Sequence, residues 1–114
     1  MDGSLSSSLF HVYVKTISPN TKIIPLFHHK NPKAHGLGDK EIMKQLKSSD
    51  PSLLVLLDAG SQDKKECAQL KKLGYEVICS DHHFFKEWND ECVLVNNHAS
   101  PRVINKGLCG AGVS

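Results

Sequence analysis

Two short runs, Leu53–Leu57 (LLVLL) and Tyr75–Cys79 (YEVIC), concentrate the apolar residues in the middle of the chain. The first is apolar at every position, the pattern expected of a parallel strand covered on both faces. Between the two runs, Gln62 to Leu73 places Cys67, Leu70 and Leu73 at helical spacing, and Gly74 supplies a stop. Strand, helix and strand in that order predict a parallel βαβ unit. Upstream, Leu5, Leu9, Val12 and Tyr13 keep a helical spacing within Ser4 to Ile17, although Val12, Val14, Thr16 and Ile17 also resemble a strand. Ser18-Pro19-Asn20 ends this segment. Lys22 to Phe27 reads as a strand, with Pro25 arguing for an edge position or a break. His28 to Leu37 reads as a loop. Asp39 then caps a helix over Lys40 to Lys47, and Ser48 to Pro51 form a turn. Phe84 to Glu91 form a loop, and Cys92 to Val95 another short strand. Gly107 to Gly112 look like a tight turn opening a helix. The fold class is α/β, with a mostly parallel sheet flanked by helices.

Composition changes this picture little. The chain has 114 residues, 39% hydrophobic and 23% charged, which suits one globular domain. A net charge of +2 neither demands nor excludes a nucleic-acid partner. The cysteines Cys67, Cys79, Cys92 and Cys109 show no close pairing. Cys67 and Cys79 fall on apolar faces, which suits buried thiols in a reducing, cytoplasmic compartment better than a disulfide framework. No apolar run reaches membrane-spanning length, and no signal peptide is seen.

The candidate chemistry lies at the ends of the two strands. Asp58 closes the first, and Asp81-His82-His83 follows the second after Ser80. In open α/β sheets, ligands bind outside the carboxyl ends of the strands. Two carboxylates and two imidazoles delivered there make a metal site for hydrolysis. Carboxylates suit Mg²⁺ or Mn²⁺, and an imidazole tilts the choice toward Mn²⁺. Asp58 alone reads equally well as a helix N-cap, and a His pair alone as a solvated loop. Their recurrence one βα unit apart favours a site.

Four stretches, in order, resemble the DHH phosphoesterase superfamily and, within it, the RecJ-like single-strand-specific exonucleases. Met1-Asp2-Gly3-Ser4 resembles the tail of the family's first motif, and Asp58-Ala59-Gly60 the second. Asp81-His82-His83 matches the third. Gly107-Leu108-Cys109-Gly110-Ala111-Gly112-Val113 resembles the Gly-rich segment opening the next helix. His35-Gly36-Leu37-Gly38 and Val95-Asn96-Asn97 resemble connecting segments. The resemblance implies two divalent ions, Mn²⁺ or Mg²⁺, held by Asp2, Asp58, Asp81 and His82. It further implies that Asp58, Asp81, His82 and His83 form the catalytic set, and that His83 contacts phosphate or orients a ligand. Gly110 and Gly112 then approach the substrate phosphate closely, where otherwise they are turn residues. Arg102 suits bidentate phosphate recognition, although a surface Arg is the commoner outcome.

The implied activity is metal-dependent phosphodiester hydrolysis, with single-stranded DNA as partner. The alternatives are a phosphodiesterase acting on oligonucleotides or cyclic dinucleotides, a family II pyrophosphatase, and a non-catalytic DHH binding module. Two aspartates of the first motif and the second, DHHA1-type domain are not in these 114 residues. Residues 1–114 are therefore expected to be a partial DHH domain, inactive alone. The remaining features have plainer readings. His28-His29 suit a solvated loop, and His35 has no assigned role. Lys64, Lys65, Lys71 and Lys72 suit a solubilising helix face. Phe84, Phe85 and Trp88 serve either base stacking or loop packing.

Overall fold

The computed structural model describes residues 2–27 and 36–113. His28, His29 and His35 lie outside the described residues, as does the side chain of Asp2. The chain forms helix α1 (Asp2–Ile17), a 3-10 turn (Gly36–Gly38), helix α2 (Lys40–Lys47) and strand β1 (Leu53–Leu57). Helix α3 (Lys64–Lys72), strands β2 (Glu76–Asp81) and β3 (Val93–Asn96) and helix α4 (Gly110–Val113) follow. The sheet is parallel throughout, in the order β1-β2-β3. The α/β class and the parallel sheet are therefore as expected.

Local chemistry sets the helix ends. Asp39 caps α2, its Oδ1 accepting from the Glu41 and Ile42 amides at 2.9 and 3.4 Å. At the far end of α3, Gly74 takes φ +97°. Its amide donates to the Lys71 carbonyl at 3.0 Å, and the Tyr75 amide to Leu70 at 3.1 Å. Those two bonds make a Schellman motif, in which the left-handed position favours glycine. Tyr75 and Leu70 complete it with an apolar contact inside the core.

Leu37, Ile42, Met43, Leu46, Cys67, Leu70, Tyr75, Val77 and Cys79 form that core. The alternation of Val77 and Cys79 along β2 directs one sheet face at α2 and α3. The Tyr75 hydroxyl donates to the Leu46 carbonyl at 2.7 Å, so its polar tip is satisfied within the apolar cluster. Elsewhere α1 packs on α4 and touches β1, and α4 touches β2.

Two expectations need correction. Residues 21–27 form no strand. Pro25 removes a donor from the middle of this segment, and Ile24 and Phe27 remain 66% and 60% exposed. Nor is β1 covered on both faces: Leu53 is 60% exposed and the rest of the strand only half-buried. Among the described residues β1 is an edge strand, paired with β2 alone.

Candidate metal centre

The register places three polar side chains at one edge of the sheet. Leu57 pairs with Ser80, and Asp81 with Asn96. The Asp58 amide extends the β1–β2 pairing by donating to the Ser80 carbonyl at 2.8 Å. Asp58, Asp81 and Asn96 thus sit at the carboxyl ends of three adjacent strands, about 4.8 Å apart in a regular sheet.

Asp58 takes φ +63°, the one non-glycine residue in the left-handed region among those described. Asp tolerates this region better than most residues, at a cost of about 1–2 kcal/mol. The turn aims its carboxylate across the strand ends. Its Oδ1 is buried and receives no hydrogen bond. His82 Nε2 lies 3.0 Å from that oxygen, within ion-pair distance. One ligand atom each from Asp58, His82 and His83 lies within 4.8 Å of the others. A buried acceptor left unpaired costs about 1–3 kcal/mol, which a cation at this point would remove. One carboxylate and two imidazoles are a fitting donor set for a divalent transition metal.

Asp81 is turned inward and 2% exposed. Its Oδ1 accepts from the His82 amide (2.8 Å), the His83 amide (3.2 Å) and His83 Nδ1 (2.6 Å). Its Oδ2 accepts from the Ser61 amide at 3.1 Å. Burial pushes the Asp81 carboxyl up, yet the hydrogen bonds from Ser61 and His83 together hold it below its ordinary value. An ionised carboxylate only accepts, so His83 Nδ1 is the donor in that bond, and Nε2 is the ring nitrogen left to face a ligand.

Four supporting residues carried no role in the sequence reading. Asn96 donates to Ser61 Oγ and to the His83 carbonyl, both at 2.9 Å, and accepts from the His98 amide at 2.9 Å. Ser61 ties Asp81 to Asn96. Asn89 donates to the Gly60 carbonyl at 2.9 Å and so braces the turn after Asp58. Asp63 accepts from the Leu37 amide at 2.8 Å, and burial pushes its carboxyl up. For Asn96 a signal was present, an amide closing an apolar strand as Asp58 and Asp81 do.

Gly3 and Gly110 close the site from above. A Cβ on Gly3 would lie 3.5 Å from Asp58 Oδ2, and one on Gly110 would overlap the Asp58 carboxylate. Gly112 is exposed and faces Leu108 instead. Arg102 is exposed, and no hydrogen bond or ion pair among the described residues joins its side chain to the centre. Lys64 pairs with Glu87 (2.6 Å) and Asp90 (3.0 Å), and Lys71 with Glu91 (3.4 Å). These pairs tie α3 to the 84–91 loop. Phe85 meets Trp88 edge to face at 5.9 Å, and Phe84 stacks on His98 at 4.1 Å. Among the described residues, no helix is long and apolar enough to cross a membrane.

Comparison with known proteins identifies the family. The family described as "DHH family, N-terminal domain" matches residues 1–114. The chain is 35% identical over 114 residues to "Putative SPbeta prophage-derived single-strand DNA-specific exonuclease YorK" of Bacillus subtilis (strain 168). It is equally similar to "Putative single-strand DNA-specific exonuclease yorK" of Bacillus phage SPbeta. Each alignment covers 100% of this chain and 19% of the relative, so the chain spans about a fifth of their length.

Proposed function

The chain belongs to the DHH family, and on that premise we propose that it supplies the metal-binding edge of a RecJ-like exonuclease acting on single-stranded DNA. The observation that carries this reading is the buried Asp58 Oδ1, which receives no hydrogen bond and faces His82 Nε2 at 3.0 Å. The names of the two relatives support the substrate class. Asp58, His82 and His83 hold a divalent ion, Mn²⁺ before Mg²⁺. Asp2 is proposed to contribute to a second ion. Divalent cations supply charge neutralisation at phosphate oxygens and a more acidic water.

The chain's own groups prepare that chemistry. Asp81 accepts from the His82, His83 and Ser61 amides and from His83 Nδ1, and so orients the His83 ring with Nε2 turned away from the carboxylate. Asn96 fixes the His83 backbone from the neighbouring strand. Gly110 leaves room beside Asp58 for an ion or a phosphate. Gly112 and Arg102 are proposed as phosphate contacts at the rim.

The test is Mn²⁺-dependent nucleotide release by the full-length protein from single-stranded DNA, a short oligonucleotide, a cyclic dinucleotide and pyrophosphate. The proposal expects single-stranded DNA to be degraded, with binding that weakens steeply as salt rises. Hydrolysis of a small phosphate ester with single-stranded DNA left intact overturns the substrate class. Binding of DNA without any turnover favours a non-catalytic module.

A further inference from the structure

Below the Asp58-Ala59-Gly60 turn, three cysteines far apart in sequence converge. Cys67 comes from α3, Cys79 from β2, and Cys92 from the residue before β3. Their sulfur atoms all lie within 4.8 Å of one another. We propose that Cys67, Cys79 and Cys92 form a second metal site, separate from the Asp58 centre, for a thiophilic d¹⁰ cation of the Zn²⁺ class.

Bonds of about 2.3 Å in a tetrahedral zinc thiolate site put the sulfurs about 3.8 Å apart. The three side chains reach that spacing with shifts of about 1 Å or less. Soft thiolates exclude Mn²⁺ and Mg²⁺ here, so the two centres sort their ions by donor type. One side-chain donor already points at the cluster. Asn89 Nδ2 sits 3.4 Å from Cys67 Sγ while donating to the Gly60 carbonyl.

Binding is balanced by proton release. The dication replaces the protons still on sulfur, and three thiolates with Zn²⁺ carry one net negative charge. A monovalent ion would leave two negative charges in the interior, so burial favours the dication. Cys67 and Cys79 are 0% exposed. Cys92 is half-buried, which leaves the fourth tetrahedral position open on its side.

The experiment uses the purified protein carrying Cys109→Ser, which removes the exposed fourth thiol. It is titrated with Zn²⁺, and with Co²⁺ and Cd²⁺ as spectroscopic probes. The expected result is a thiolate-to-metal charge-transfer band that saturates at one equivalent at the cysteines, apart from any ion taken up at the Asp58 centre. Zn²⁺ protects three thiols from a thiol reagent and raises Tm. The band persists in Asp58→Asn and disappears in Cys79→Ser and in Cys92→Ser. Circular dichroism checks the fold of both Ser variants, and thiol protection in the parent protein stands apart from them. Three thiols that stay unprotected at stoichiometric Zn²⁺ reduce the cluster to packed apolar side chains. A mass two hydrogens lighter under non-reducing conditions makes it a disulfide. Either result overturns the proposal.

Discussion

Asp58 Oδ1 and His82 Nε2 face each other at 3.0 Å across the ends of two adjacent parallel strands, with no hydrogen bond satisfying the oxygen. The strained backbone of Asp58, at φ +63°, and the inward turn of Asp81 both serve this approach. Conformational strain of this kind persists where the surroundings over-determine it, and it clusters at functional sites.

Replacing Asp58 separates the two consequences. Asp58→Asn keeps the shape and tolerates the left-handed backbone, but loses the anionic ligand. Mn²⁺-dependent nucleotide release should fall by more than about 100-fold with Tm nearly unchanged. Asp58→Gly should be equally inactive yet up to about 1–2 kcal/mol more stable, because glycine pays no steric penalty there. Near-normal activity in Asp58→Asn removes the residue from the metal centre.

Asp81→Asn places an amide where three donors converge on one oxygen and a fourth binds the other. A loss of about 1–3 kcal/mol in urea unfolding is expected. The pH dependence follows from the depressed folded pKa. The Asp81 contribution is complete above the ordinary value of 3.8 and is lost as pH falls through the lower folded value. The wild type should therefore lose stability on acidification below about pH 4, and Asp81→Asn should lose less. Parallel stability curves for the two proteins contradict the assignment.

Asn96→Ala breaks the link from β3 to Ser61 and the His83 carbonyl. The fold should weaken by about 1–3 kcal/mol. Metal affinity should fall about 10–100-fold, the usual effect of losing a group that orients a ligand. Calorimetric titration with Mn²⁺ measures the second effect, and unchanged affinity in a folded variant refutes it.

The two glycines of α4 should behave differently. In Gly110→Ala the methyl group overlaps the Asp58 carboxylate, so Mn²⁺ binding should be lost. In Gly112→Ala the methyl group meets the Leu108 side chain, 3.3 Å from its Cδ2, and lies 3.9 Å from Cys109 Sγ. That variant should bind Mn²⁺ normally and change stability by no more than about 1 kcal/mol. Equal behaviour of the two variants sinks the steric argument.

What could be read from the chain alone was local. The period of α3, the Asp39 cap, the Gly74 stop and the apolar runs of β1 and β2 depend on neighbours a few residues away. The positions of Asp58 and Asp81-His82-His83 at strand ends follow from those runs. The strand expected at 22–27 failed because Pro25 and the absence of a pairing partner among the described residues outweigh its apolar composition. Leu53–Leu57 kept its strand but not its cover, because an apolar run reports preference for burial and not what lies against it. Only the tertiary structure decided that Asp81 turns inward while Asp58 stays unsatisfied. It alone joined Asn96 to Ser61 across 35 positions and gathered three sulfurs from three segments. Those relationships rest on the parallel register and on side-chain rotamers, and no periodicity within a single segment encodes either.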